Sequence, residues 1–191
     1  MNSVLVCYTG KRGAGKTTTM VLDAYNYHLR DINIYTNMKS LTFGKSVEEK
    51  DIITLIEDKS FKNCVLMIDE IQVIFDSRRS GRKENINFLY FIQQIRKRNI
   101  TLLYTTQFSR RVDVGIREHT DIEARPKMVE TSKGLVCDVT YTDITASIDE
   151  GKIIETTKIY DPANVFVLFD TSETINSLDV IKKNLKGEKK S

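Results

Sequence analysis

The 191-residue chain has no tryptophan, only two prolines and only three cysteines. With so little proline and only nine glycines, it cannot be a collagen-like or linker-type chain. Cys7, Cys64 and Cys137 are widely spaced, and the sequence has no CxxC pair and no Cys/His cluster. We therefore expect buried free thiols in a reducing compartment, without a disulfide framework or a structural zinc.

Long hydrophobic runs are also missing. No apolar stretch approaches the ~20 residues that a membrane-crossing helix needs, and the N-terminus lacks the basic leader of a signal peptide. Apolar residues make up 40% of the chain and charged residues 29%, which is typical of globular proteins. The length predicts one domain over residues 1–180, with a core at about 3–120, a β-rich extension at about 121–170 and a basic tail at 181–191.

The small net charge of +3 hides an uneven distribution. Residues 76–111 contain nine lysines and arginines against two acids, and the tail 181–191 contains five lysines against one glutamate. The remainder of the chain is therefore acidic. This clustering of positive charge favours a polyanionic partner.

Strand and helix patterns alternate over the first 120 residues. Short apolar runs predict strands at 3–8, 32–36, 64–68 and 100–105, and apolar residues at helical spacing predict helices at 17–29, 47–58 and 85–98. Ser46 and Glu49 have the spacing of a capping box for the second helix, residues 76–84 are expected to form a loop, and a short helix or turn is expected at 109–119. This alternation predicts a parallel sheet with helices on both faces.

The pattern changes after residue 120. Segments 122–130, 135–141 and 152–159 are rich in β-formers and have Gly134 and Gly151 near their turns, which predicts hairpins. A last strand is expected at 165–170 and a short helix at 177–185. The predicted fold is an α/β three-layer sandwich with a mostly parallel central sheet, extended by C-terminal β-hairpins.

A glycine-rich segment follows the first predicted strand and leads into the first helix. It fits G-x-x-x-x-G-K-[ST] at every fixed position. Its backbone N–H groups and the helix N-terminus would hold the phosphates of ATP. Lys16 would contact phosphate oxygens, and Thr17 would bind Mg²⁺. The segment predicts a P-loop NTPase whose nucleotide-binding residues are Gly10, Lys11, Arg12, Gly13, Ala14, Gly15, Lys16, Thr17 and Thr18.

Two carboxylates, Asp69 and Glu70, directly follow the apolar strand at 64–68. In a parallel sheet the carboxyl end of this strand is expected to lie beside the phosphate-binding loop. Asp69 is predicted to help hold Mg²⁺, and Glu70 to take a proton from the attacking water as general base. A hydrolase needs such a base, whereas a kinase must keep water away from the γ-phosphate.

Two further groups of polar residues are candidates for the reaction and for DNA. Gln107, at the end of the strand at 100–105, is predicted to contact the γ-phosphate or the attacking water. Arginines of the basic region could reach a neighbouring subunit's nucleotide, with Arg96 and Arg98 preferred over Arg110, Arg111 and Arg117. The loop at 76–84 is predicted to bind the DNA backbone through Arg78, Arg79, Arg82 and Lys83.

Taken together, these motifs resemble the HerA/FtsK superfamily of DNA-pumping ATPases, and especially its viral genome-packaging and Zot-like branch. The resemblance covers residues 3–120 well. It implies a pentameric or hexameric ring that translocates double-stranded DNA, most simply to package a viral genome. It also implies a capsid, portal or membrane-vertex partner, and a location in the host-cell cytoplasm or the virion.

Three alternatives to genome packaging remain at this point. The first is a Zot-like phage assembly or extrusion ATPase. The second is a nucleoside kinase similar to thymidine kinase, although the four-cysteine zinc site usual in that family is missing from this sequence. The third is a nucleotide-dependent switch or scaffold with slow turnover. ATP hydrolysis measured with and without duplex DNA separates them.

Overall fold

The computed structural model describes residues 3–75, 83–145 and 154–172. In these residues eight strands form one mixed sheet with the order β3-β2-β4-β5-β1-β6-β7-β8. The first six strands run parallel, and β7 and β8 are antiparallel additions. The strands are β1 (Leu5–Thr9), β2 (Asn33–Thr36), β3 (Lys45–Ser46), β4 (Cys64–Ile68), β5 (Ile100–Thr106), β6 (Ile122–Thr131), β7 (Gly134–Asp143) and β8 (Ile154–Tyr160). The predicted fold class is confirmed.

Five α-helices accompany the sheet in the described residues: α1 (Lys16–His28), α2 (Glu49–Glu57), α3 (Lys83–Gln94), α4 (Val114–Glu118) and α5 (Ala163–Phe166). Short 3₁₀ helices follow β4 at Ile71–Val73 and β5 at Ser109–Arg111. None of the described helices is long and apolar enough to cross a membrane.

The helices cover both faces of the sheet. On one face, α2, α3 and α4 pack against Leu5, Leu66 and Leu102 and their neighbours. On the other face, α1 and α5 pack against alternate residues of the same strands, such as Val6 and Val65. The central strands are therefore buried on both faces, which explains their continuous apolar sequences. The three cysteines are buried free thiols, as expected.

Two local predictions were wrong. Ser46 does not cap α2, because it lies in β3 and the helix begins after Glu48, without a side-chain capping bond. Residues 165–170 are not a strand. Instead, α5 turns the chain just after Pro162, which places Val165 and Phe169, four residues apart, in the α1-side core. The predicted helix at 177–185 and most of the loop at 76–84 lie outside the described residues.

The β-rich extension continues the sheet rather than forming a separate layer. β6 pairs in parallel with β1 and in antiparallel with β7, so it belongs to both the core and the predicted hairpin. Ala124, Cys137 and Val139 point from the extension into the α1-side core. This packing places the extension next to the segment that joins β1 to α1.

Candidate active site

The phosphate-binding loop, residues 10–17, joins the carboxyl end of β1 to the N-terminus of α1. Gly15 lies directly before the helix with a φ of 95°, a left-handed conformation that disfavours side chains. A Cβ on Gly15 would also lie 2.7 Å from Met128 Cε. Both constraints require glycine at position 15. In this conformation, backbone N–H groups at the helix N-terminus can approach an anion closely.

Lys16 is buried at the start of α1, and its Nζ donates a hydrogen bond of 3.0 Å to the carbonyl of Lys11. Burial lowers the pKa of Lys16, and the nearby carboxylates of Glu70 and Asp69 oppose that shift. The ammonium group thus lies within the loop close to two negative charges. Phosphate oxygens would provide a further anionic partner at this position.

Asp69 follows β4 and lies next to the start of α1. Its Oδ1 accepts hydrogen bonds from Thr17 Oγ1 at 3.0 Å and Thr105 Oγ1 at 2.6 Å. The sheet order places β5 between β1 and β4, and the Asp69 carboxylate still lies beside the loop, where the sequence analysis expected it. Burial raises the pKa of Asp69, and the two hydroxyl donors partly offset this.

The Thr17 hydroxyl and the Asp69 carboxylate fit a Mg²⁺ site. Mg²⁺ prefers oxygen ligands and in nucleotide sites uses one or two protein groups together with phosphates and water. Among the described residues, no cluster of three or more His, Cys, Asp or Glu could hold a metal alone. Mg²⁺ bound here would therefore depend on the nucleotide for its remaining ligands.

Glu70 has its carboxylate oriented by two amide groups. Gln107 Nε2 donates to Oε1 and Gln72 Nε2 donates to Oε2, both at 3.0 Å. The backbone of Glu70 is left-handed, with a φ of 51°, and its N–H donates to Thr105 Oγ1 at 2.8 Å. The arrangement fixes the Glu70 carboxylate beside Asp69, and the role of Glu70 as general base stays a prediction.

Sequence reasoning missed two residues of this network, Asn37 and Thr105. Asn37 makes a pair of hydrogen bonds with the backbone of Asp69, donating to its carbonyl at 2.9 Å and accepting from its N–H at 2.8 Å. Thr105 bonds both Asp69 and Glu70 through one hydroxyl. Both lie at the polar end of a buried strand in segments that carry the family resemblance, but neither was predicted as a site residue.

The structure brings Lys16, Thr17, Asp69, Glu70 and Gln107 together, but places Arg96 and Arg98 elsewhere. These two arginines precede β5, at the amino end of the parallel strands, whereas the loop follows the carboxyl end of β1. Any role of either arginine in catalysis would have to be in a neighbouring subunit, and that role stays a prediction.

The two arginines have different partners. Arg96 forms an ion pair of 2.8 Å with Asp121, and its side chain is 71% exposed. Arg98 donates to the carbonyls of Ile56 at 2.8 Å and Asp58 at 3.2 Å, at the end of α2. Arg98 is therefore used in packing, and Arg96 is the more accessible of the two.

The predicted DNA-binding residues Arg78, Arg79 and Arg82 lie outside the described residues. Lys83 is the first residue of α3, and its side chain is not described either. Their contact with DNA remains a prediction.

A cavity of about 690 Å³ opens between the phosphate-binding loop and the β6–β7 hairpin. Gly10, Lys11 and Arg12 lie on one side, with Arg125 and Asp138 on the other. Its position and size suit the nucleoside part of a nucleotide whose phosphates lie on the loop.

Comparison with known families identifies the chain. The ATPase family associated with various cellular activities (AAA) matches residues 6–126, more than half of the sequence. The chain belongs to this family. The matched region contains the phosphate-binding loop, Asp69, Glu70 and Gln107, the residues that the structure brings together. This chain is an ATPase. β7 and β8 lie beyond the matched region.

Solved structures share the fold of this AAA chain at low sequence identity. The N-terminal domain of zonular occludens toxin from Neisseria meningitidis is 17% identical with a TM-score of 0.64, over 89% of this chain and 100% of that one. The genome-packaging NTPase B204 of Sulfolobus turreted icosahedral virus 2, in complex with ATP-γS, is 11% identical with a TM-score of 0.59, over 85% and 98%.

A third structure, the DNA-packaging ATPase B204 of Sulfolobus turreted icosahedral virus, is 14% identical with a TM-score of 0.58. It covers 85% of this chain and 99% of that one. No curated protein sequence matches the chain. At these identities the likeness shows the fold alone.

Proposed function

We propose that this AAA ATPase is a motor of the HerA/FtsK type that translocates double-stranded DNA to package a viral genome. The observation that carries the proposal is the position of Gln107. This residue hydrogen-bonds Glu70 in the active site, and the next residues along the chain form an exposed basic and aromatic segment. A residue that responds to the bound nucleotide would therefore lie only a few residues from the segment proposed to contact DNA.

The chemistry follows from the geometry of the site. The loop and Lys16 would bind the phosphates of ATP. Thr17 and Asp69 are the residues that would hold Mg²⁺, and a cation bound there would offset phosphate charge. Glu70 takes a proton from water as the water oxygen attacks the γ-phosphorus, and ADP leaves with the electrons of the broken P–O bond. Gln107 orients Glu70 or the water and changes its contacts when phosphate leaves.

The segment that would contact DNA comprises residues 108–111. Phe108 is 46% exposed, and the Arg111 guanidinium lies 5.1 Å from the centre of its ring. Arg110 and Arg111 are both exposed. Arginine side chains bind phosphates of the DNA backbone without regard to sequence, as a translocating motor requires. In the sequence, Arg78, Arg79, Arg82 and Lys83 belong to the same basic stretch, residues 76–111.

A ring assembly is part of the proposal. In a ring, ATP at one subunit would receive Arg96 of its neighbour, which stabilises the charge of the transition state. Five or six subunits would surround the DNA, and a capsid, portal or membrane-vertex protein would anchor the ring in an infected cell. The fold shared with two DNA-packaging ATPases supports this assignment.

Phage assembly or extrusion is the second candidate function. It is favoured by the likeness to the zonular occludens toxin domain, which has the higher TM-score and is covered over its whole length. Both candidates use the same ATPase chemistry. They differ in the partner that the ring binds, so capture of a capsid component or of a membrane assembly protein distinguishes them.

The first test is ATP hydrolysis by the purified protein with and without linear duplex DNA, at several salt concentrations. We expect DNA to stimulate hydrolysis, with a stimulation that weakens as salt rises. Arg110→Ala/Arg111→Ala should lose stimulation and keep basal hydrolysis.

The matched control is Arg30→Ala/Lys62→Ala, which removes two exposed positive charges near the amino end of the strands. This variant should be stimulated like wild type. Absence of stimulation in the wild type would contradict the motor, and phosphate transfer to a nucleoside would identify a kinase instead.

A further inference from the structure

β8, the strand that ends the sheet beyond β7, is connected to the phosphate-binding loop by a chain of hydrogen bonds. The Tyr160 hydroxyl lies 2.9 Å from Thr19 Oγ1, in the first turns of α1. Thr19 Oγ1 in turn donates to the carbonyl of Gly15 at 2.9 Å. Two bonds thus link a residue late in the chain to the loop that binds ATP.

The direction of these bonds follows from the number of hydrogens. Thr19 has a single hydroxyl hydrogen, and a carbonyl can only accept, so that hydrogen is used by Gly15. With that hydrogen used, the Thr19 oxygen accepts from Tyr160, and Cys137 Sγ lies 3.7 Å from the same oxygen. Burial raises the pKa of Tyr160, so its hydroxyl keeps the proton that it donates. The chain therefore has one order: Tyr160 to Thr19 to Gly15.

Gly15 is the loop residue whose position these bonds fix. Its left-handed φ of 95° turns the chain into α1 and directs the loop N–H groups. On its other side, a Cβ would meet Met128 Cε at 2.7 Å and Cys137 Sγ at 3.1 Å. Residues of β6 and β7 therefore lie against Gly15. Its carbonyl accepts from both the N–H and the hydroxyl of Thr19 at 2.9 Å, and Tyr160 of β8 orients that hydroxyl.

We propose that Tyr160 is a positioning residue for the phosphate-binding loop, acting through Thr19 on the backbone of Gly15. The inference rests on ATP binding at this loop and not on DNA translocation. It gives β8, which lies outside the matched AAA region, an indirect part in nucleotide binding. Loop N–H groups contact phosphate in both ground and transition states, so loss of positioning raises KM and leaves kcat nearly unchanged.

Tyr141 provides a matched control on the same extension. Its hydroxyl donates to Asp23 Oδ2 at 2.8 Å, and Asp23 also accepts from Tyr8 at 2.8 Å and Lys158 at 3.3 Å. This second network also ties the extension to α1, but two turns of helix away from Gly15. Tyr141→Phe therefore also removes a tyrosine hydrogen bond between the extension and α1, here to a carboxylate, without touching the loop.

The test is the equilibrium affinity for ATP and the steady-state hydrolysis of purified full-length variants, with thermal unfolding measured without nucleotide. We expect Tyr160→Phe to weaken ATP binding and raise KM about 3- to 10-fold, in keeping with loss of one partly buried hydrogen bond. Tyr141→Phe should lower the melting temperature to a similar degree and bind ATP like wild type.

Thr19 tests the same chain through its second member. Thr19→Ser keeps the hydroxyl and should retain ATP affinity, whereas Thr19→Val should match Tyr160→Phe. Combining Thr19→Val with Tyr160→Phe should add little further loss, because both interrupt one chain. Wild-type ATP affinity in Tyr160→Phe, or an equal loss in Tyr141→Phe, would overturn the proposal while leaving the ATPase assignment intact.

Discussion

The two ends of the parallel strands differ sharply although the same strands form both. At the carboxyl end, Asp69 and Glu70 are held side by side by hydroxyl and amide donors, and the backbone of Glu70 is left-handed. At the amino end, Arg96 and Arg98 pair with a carboxylate and with helix-terminal carbonyls. These polar groups at the amino end mainly stabilise the fold.

This difference shows how charge can be arranged for two purposes. At the carboxyl end, charged side chains lie close to one another and away from water, which is unfavourable without a ligand. The same arrangement provides charged partners for phosphate and Mg²⁺. At the amino end, Arg96 is exposed and Arg98 is half-buried, and both already have hydrogen-bond partners. Substitutions at the carboxyl end should therefore affect hydrolysis more than stability. Substitutions at the amino end should affect stability more than hydrolysis, except at Arg96, which is proposed to act in a neighbouring subunit.

The largest effect is expected from Lys16→Ala at the carboxyl end. The variant removes the only ammonium group within the described phosphate-binding loop that is buried, so ATP binding should fall by at least about 100-fold. Titration with ATP while following thermal stability measures this directly. Lys11→Ala is the control, because Lys11 is exposed and contributes its carbonyl to the contact. An unchanged ATP affinity in Lys16→Ala would contradict the site.

The second effect tests whether Arg96 serves a neighbouring subunit. Arg96→Ala should bind ATP but lose hydrolysis by about 10³-fold if it stabilises the transition state in trans. Mixing it with Lys16→Ala, which keeps Arg96, should restore activity that neither variant has alone. Asp121→Asn weakens the ion pair without removing the guanidinium and should stay active. An active Arg96→Ala would assign this arginine to the scaffold.

A smaller effect is expected for Arg98→Ala, which should change stability more than chemistry. It loses hydrogen bonds to the end of α2 and the contact of its guanidinium with Phe91, 5.6 Å from the ring centre. We expect a loss of about 1 kcal/mol in the free energy of unfolding and an unchanged kcat. Chemical denaturation measures the first and initial rates the second. A large loss of kcat at unchanged stability would show that Arg98 acts in hydrolysis.

The smallest effect concerns the buried charge of Asp69. Because its pKa is raised in the folded state, ionisation of Asp69 destabilises the fold above that pKa, and the protein recovers stability as the pH falls through it. Asp69→Asn should therefore be more stable by about 1 kcal/mol near neutral pH, and the difference should shrink in acid. The same variant should lose stabilisation by Mg²⁺ with ATP. A constant difference at all pH values would exclude the charge as the cause.

Much of the parallel core could be predicted from sequence because its signals are local. Apolar strands bounded by glycine or carboxylates gave β1, β4 and β5 to within a residue or two, and the spacing of residues 10–17 gave the phosphate-binding loop. The proximity of Asp69 and Thr17 also followed from parallel topology. These features depend on neighbouring residues or on a general rule for such sheets.

The remaining features depend on contacts between distant segments. The residues around Asn37 in the sequence do not indicate that its amide will hydrogen-bond the backbone of Asp69, 32 residues later. The link from Tyr160 to Gly15 spans most of the chain. The expected strand at 165–170 failed because apolar residues four apart serve a short helix as well as a strand, and tertiary packing decides between them.

The central claim, that ATP hydrolysis at Glu70 drives movement along DNA, is tested most directly by displacement of a triplex-forming strand from linear duplex DNA. We predict that the wild type displaces the third strand when ATP and Mg²⁺ are present. Glu70→Gln should bind ATP and DNA without displacing it. Hydrolysis stimulated by DNA without displacement, or displacement at the wild-type rate by Glu70→Gln, would contradict the account.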